Sequence, residues 1–147
     1  RHAAAAAFAA TWMAERDSKV FLVATANDIA AMPPELMRKG RFDEIFFVDL
    51  PDADTRKLIL SIHLERRKLD PVTFDLDTVV ELTEGFSGAE LEQAIVASLY
   101  EAYNENRPLD TDHLAAEART TRPLSVVMSE RLDELRQWAA ERAVMAH

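Results

Sequence analysis

The chain holds no cysteine, only three glycines and no apolar run approaching the roughly 18 residues of a membrane span. Without cysteine there are no disulfides and no thiolate metal sites. The glycines, Gly40, Gly85 and Gly88, fit no G-x-x-x-x-G-K-[ST] pattern, so no phosphate-cradling loop is present in these residues. A strand of four apolar residues ending in Asp-Glu, the usual seat of a Mg²⁺ ligand, is also missing: Asp49 precedes Leu50, and Asp43-Glu44 follows no apolar run. The four histidines, His2, His63, His113 and His147, stand far apart without zinc spacing, so no metal ligands are expected. Ala3–Ala7 lacks the flanks of a secretory signal, and the expected compartment is cytoplasmic. Positive charge is scarce too: 17 lysines and arginines face 26 aspartates and glutamates, a net charge of −9 that argues against a nucleic-acid-binding surface.

What is present divides at Pro51. Residues 1–50 read helix–strand–helix–strand. Phe8, Trp12 and Arg16 recur at four-residue spacing. Val20–Thr25 and Ile45–Leu50 are continuous apolar runs of strand length, the pattern of parallel strands buried on both faces. Between them, Pro33 and Pro34 open a short helix and Gly40 closes it. Two strands do not make a stable doubly wound sheet, so this half reads as the incomplete end of a larger α/β domain.

Residues 51–147 read as helical, with no further strand. Asp52 is placed to cap a helix with Leu58, Ile59, Ile62 and Arg66 on one face. Leu76, Val79, Val80 and Thr83 align on a second helix. Ser87 and Glu90 have the spacing of a capping box and open a third, with Leu91, Ala94, Ile95, Ser98, Leu99 and Ala102 along one side. A fourth is predicted in "TDHLAAEAR". "PLSVVM" is a link to a last helix from Ser129, with Leu132, Leu135, Trp138, Ala139 and Met145 on its buried side.

The scarce positive charge gathers in "ELMRKGRFDE". Arg38 in a last helical turn and Arg41 past a glycine suit a helix C-terminus, where a cation gains about 0.3–1 kcal/mol from the dipole. Two guanidiniums on a stiff turn also match phosphate oxygens and can stabilise a transferring phosphoryl group. Taken locally, both readings stand, with capping the simpler. Asn27 lies just past a buried strand, where open α/β sheets bind ligands, yet asparagine is also an ordinary turn residue. His63 reads locally as a packing histidine, and Gly85 and Gly88 as parts of a helix cap.

Taken jointly, "VFLVATANDIAAMPPELMRKGRFDEIFFVDLPDADTRKLILSIHL" resembles the second region of homology of the AAA family of ATPases, and "GFSGAELEQAI" is similar to that family's lid motif. The tail "RPLSVVMSERLDELRQWAAERA" looks like a bacterial and plastid subgroup. The resemblance implies an α/β fold class: residues 1–50 as the C-terminal part of a P-loop NTPase parallel sheet domain, and 51–147 as an all-helical lid subdomain with a C-terminal helix. It implies Asn27 as the sensor-1 residue placing the attacking water. Arg38 and Arg41 become arginine fingers acting on ATP held by a neighbouring subunit. His63 is expected at the ribose and base, and Gly88 and Ala89 near the adenine, where a larger side chain would not fit. ATP and Mg²⁺ are the implied cofactors, with the phosphate and Mg²⁺ ligands upstream. A hexameric ring and a protein substrate are the implied partners. Ala26 and Asp28 depart from the family's Thr-Asn-Arg, and Glu44 stands where some members carry a further arginine. Without the phosphate loop the 147 residues are expected not to hydrolyse ATP by themselves. Two other classes remain open: a catalytically inactive AAA-derived interaction module, and a loader-type AAA ATPase acting on DNA.

Overall fold

The computed structural model describes residues 21, 23–25 and 44–145. The chain divides into two units, one of them Asp49–Glu134; the other holds the remaining described residues, including 44–48 and 135–145.

The first unit is helical because each helix carries its own start and stop. Helix α1, Ala53–Arg66, begins at Asp52, whose carboxylate accepts from Thr55 N at 2.8 Å. It ends in a Schellman motif without glycine: Lys68, at φ +62°, donates to Glu65 O and Leu69 N donates to Leu64 O. Leu69 then packs against the core. A 3₁₀ turn, Pro71–Thr73, leads to α2, Leu76–Leu82, capped by Asp75. Helix α3, Gly88–Asn104, opens on the expected capping box: Glu90 N donates to Ser87 Oγ, and Ser87 N donates back to Glu90 Oε2. Its far end repeats the Schellman pattern with Asn106 at φ +55°, asparagine being tolerant of that conformation. Helix α4, Thr111–Thr120, starts at Asp110, with His113 in the position a glutamate takes in the usual box. The expected link at 123–128 contains a short helix, α5, Leu124–Val127.

Helix α1 packs on α2 and α3, and α4 packs on α2 and α3. Leu60, Leu64, Phe74, Leu76, Val79, Val80, Phe86, Leu91, Ile95 and Leu114 form the shared core. The faces expected for α2 and α3 are the buried ones; Leu99 is only partly covered. The face expected for α1 is right only at Ile59, which is partly buried against the core. Leu58 is 59% exposed, and Ile62 and Arg66 are exposed, whereas Arg56, Leu60 and Leu64 are buried. Apolar residues surround this helix, and stripes two residues apart point about 200° from each other. Periodicity cannot choose between them, and Arg56 decides. Its guanidinium reaches Pro51 O and Val80 O, both at 3.1 Å, placing the cation at the C-terminal end of α2.

In the second unit the strand expectations need correction. Phe21 and Val23–Thr25, the described part of the first apolar run, form no strand and are exposed, Phe21 by 92%. In the second run only β1, Phe46–Phe47, is a strand, and exposure alternates along it instead of vanishing. Its neighbour is β2, Val144–Met145, parallel, with Val144 N donating to Ile45 O at 2.8 Å. Alternating exposure means that one face of β1 is covered and the other open, so the doubly buried pattern is not realised there. Met145 is therefore in a strand that was not expected rather than on a helix. The last helix, α6, Ser129–Arg142, begins within residues 49–134, where Leu132 is partly buried. Its part in the second unit, from Leu135, has Ala139 fully buried, Leu135 and Trp138 partly so, and Arg142 over the Trp138 ring at 6.0 Å. No helix among the described residues is long and apolar enough to cross a membrane.

Candidate functional site

Three candidate residues, His63, Gly88 and Ala89, fall on the helical unit; Asn27, Arg38 and Arg41 lie outside the described residues. Helices α1 and α3 bring the three to one edge. A Cβ on Gly88 would lie 3.6 Å from Ile59 Cδ1. One turn further along both helices, Glu92 Oε1 lies 3.3 Å from His63 Nδ1. His63 and the start of α3 are therefore about one turn, some 5 Å, apart along the helix pair.

The start of α3 has two open donors. A helix begins with four N–H groups lacking intrahelical acceptors. The capping box satisfies those of Ser87 and Glu90. The N–H groups of Gly88 and Ala89 have no acceptor among the described residues, and Ala89 is exposed. Such donors, on the positive end of a 17-residue helix, attract polar or anionic ligand atoms. Packing does not itself require glycine at 88, because 3.6 Å is an ordinary van der Waals contact.

His63 is held by its surroundings. Its side chain is only 13% exposed. Arg67, the C-cap of α1, donates from Nη1 to His63 O at 3.0 Å, and Nη1 also faces Nδ1 of the ring at 3.5 Å. Arg67 Nη2 donates to Glu92 Oε1 at 3.1 Å. That bond from Arg67 is the main reason the Glu92 carboxyl sits below its ordinary value of 4.5; partial burial opposes it and the charges of His63, Arg67 and Arg66 add to it. Nε2 of His63 has no hydrogen-bond partner among the described residues. The ring thus has one nitrogen engaged by the protein and one with no partner among the described residues.

Arg67 and Glu92 were missed in the sequence. Arg67 stands four residues after His63 on the same helix face, a signal that was available. Glu92 could be placed only once α1 and α3 were docked. Among the described residues no group of three or more His, Cys, Asp or Glu is arranged to hold a metal ion.

The family model described as the ATPase family associated with various cellular activities (AAA) matches residues 2–50, and the model of the AAA+ lid domain matches residues 73–116. The AAA domain-containing protein ycf46 of Guillardia theta is 41% identical over 131 residues, which are 88% of this chain and 26% of that protein. A proteasome-activating nucleotidase of Saccharolobus solfataricus is 39% identical over 88 residues, 60% of this chain and 22% of that protein. The chain spans about a quarter of the length of the curated relatives it matches. Among solved structures, the FIGL-1 AAA domain in complex with ADP has a TM-score of 0.58 over 70% of this chain and 39% of that one; at 22% identity the likeness is one of fold.

Proposed function

Because the chain belongs to the AAA family of ATPases and carries the C-terminal part of its ATPase module, we propose that it supplies the lid half of an ATP site, together with the groups that act on a neighbour's ATP. One observation carries this reading: the free Nε2 of His63 and the open N–H groups of Gly88 and Ala89 share the α1–α3 edge. An imidazole and a pair of backbone donors fit the sugar and purine end of a nucleotide, where hydrogen bonds and apolar contact are needed and no strong cation is. ATP, when bound, brings the phosphoanhydride whose cleavage drives the machine. In this proposal His63 and the α3 N-terminus hold its nucleoside, Asn27 orients the attacking water, and Arg38 and Arg41 stabilise charge on the γ-phosphate of an adjacent subunit. No step is assigned to Mg²⁺ through the described residues.

A trans-acting arginine demands self-association, and a closed ring, hexameric in our reading, gives every site the same neighbour. A relative named for activating the proteasome supports a protein as the substrate to be remodelled, and the acidic charge of the chain supports the same choice over DNA. A cytoplasmic setting fits this reading.

The test is Arg41→Ala in the whole protein. Turnover should fall by about 10³-fold or more while ATP binding is spared. Loss of binding with unchanged turnover per bound ATP would place Arg41 in its own subunit's site and overturn the trans assignment. The purified 147-residue chain should show no ATPase activity above background.

A further inference from the structure

We infer that Arg67, locked in place by Glu92, is a positioning residue that sets the tautomer of His63, so that Nε2 carries the proton and donates it to the ligand. The ligand part of this inference rests on the function proposed above; the tautomer part does not.

Nδ1 of His63 has two neighbours with opposite demands. Arg67 Nη1 faces it at 3.5 Å, and Glu92 Oε1 lies 3.3 Å away. A guanidinium has only donors, so it can be met only by a lone pair on Nδ1; a carboxylate has only acceptors and can be met only by Nδ1–H. The geometry favours the arginine. Its N–H is directed at the ring nitrogen, while Glu92 Oε1, though 3.3 Å away, is not aligned for a hydrogen bond with Nδ1 and accepts from Arg67 Nη2 at 3.1 Å instead. Arg67 is further anchored by Nη1 donating to His63 O at 3.0 Å, so its fork spans the histidine's own carbonyl, its ring and the partner carboxylate on α3. The neutral ring then has its lone pair on Nδ1 and its proton on Nε2, the nitrogen without a partner among the described residues. A donor at that position takes a hydrogen-bond acceptor on the ligand, either a ribose oxygen or a purine ring nitrogen.

Nitrogen-detected NMR of the imidazole in the 147-residue chain, at a pH where His63 is neutral, reads the tautomer directly. The expected result is Nε2–H in the wild type. Arg67→Met removes the guanidinium and frees Glu92, so the ring should switch to Nδ1–H; Arg67→Lys, which keeps a cationic donor, should hold Nε2–H. An Nδ1–H ring in the wild type, or a tautomer that ignores Arg67→Met, overturns the inference, and the wild-type spectrum is decisive without any variant. In the whole protein, Arg67→Met should raise the KM for ATP about five- to tenfold with kcat little changed, the size expected for one hydrogen bond. A penalty that vanishes with 2′-deoxy-ATP assigns the acceptor to the ribose, and one that vanishes with 7-deaza-ATP assigns it to the base. A tautomer that switches while KM for ATP stays fixed overturns the placement of His63 at the nucleotide and leaves the control by Arg67 standing.

Discussion

At the scale of single residues, much of the helical unit rests on carboxylates that work as caps or as partners of cations. Asp75 is held below its ordinary 3.8 first by the Thr78 hydroxyl and then by the Thr78 N–H. Glu105 is held below 4.5 by its hydrogen bond to Arg107, reinforced by charge. For Asp110 burial is the largest single influence and pushes upward, but the hydrogen bonds and charge of His113 and the charge of Arg107 together make the net shift downward. Glu92 follows the same direction. A carboxyl whose folded value lies below its unfolded one contributes stability at pH above the unfolded value and loses it as pH falls through the folded one. Thermal melts should therefore be flat above about pH 5 and drop steadily as pH falls below the ordinary values, 4.5 for Glu and 3.8 for Asp. A melting temperature that rose on acidification would contradict this. Replacing one cap is a smaller perturbation: Ser87→Ala should cost about 1 kcal/mol in urea unfolding, because it orphans the Glu90 N–H at the start of α3. These caps were legible in the sequence because they are local. Lys68 was not, since nothing in its neighbourhood distinguishes a lysine forced to positive φ by the chain that follows it.

Among the elements, α3 and α1 show where pattern succeeds and fails. Leu91, Ala94, Ile95, Ser98 and Ala102 form one clean stripe, so the sequence points to the buried side of α3 without help. Helix α1 offers two stripes, Leu58/Ile62 and Leu60/Leu64, and the choice is made by Arg56, whose place exists only when Pro51 O and Val80 O are brought near it. Its Nε is buried without a partner among the described residues, which marks how tightly the guanidinium is enclosed. The two stripes give a sharp contrast. Leu60→Ala should cost about 2–5 kcal/mol, and Leu58→Ala no more than about 0.5, in the same denaturant titration. Equal losses would mean that both stripes are covered. Gly85 adds a backbone example. It sits at φ +77°, and a Cβ there would lie 2.6 Å from Ser125 Oγ, so Gly85→Ala should destabilise by about 1 kcal/mol or more even after the serine rotates away.

For the molecule as a whole, the fold class was legible and its sheet was not. The end of an α/β nucleotide-binding fold joined to a helical lid agrees with the family models and with the FIGL-1 domain. Of the proposed site, His63 and Gly88 could be named from the sequence, while Arg67 and Glu92 become partners of His63 only through the α1–α3 packing. Strand β2 escaped notice because two residues, Val144 and Met145, carry no period that a pattern could register. Val144→Pro removes the N–H given to Ile45 O and should abolish hydrogen-exchange protection in this strand pair, while the unfolding of residues 49–134, which hold their own core, is unchanged. The pairing also has a consequence in time. Phe46 and Val144 are about a hundred residues apart, so joining them closes a long loop whose entropy must be overcome before the contact yields anything. The helices between are built from near neighbours, and contacts of that kind form fast. The lid should therefore fold first and draw its two ends together, so that strand pairing is the last event in folding and the first to be lost under strain.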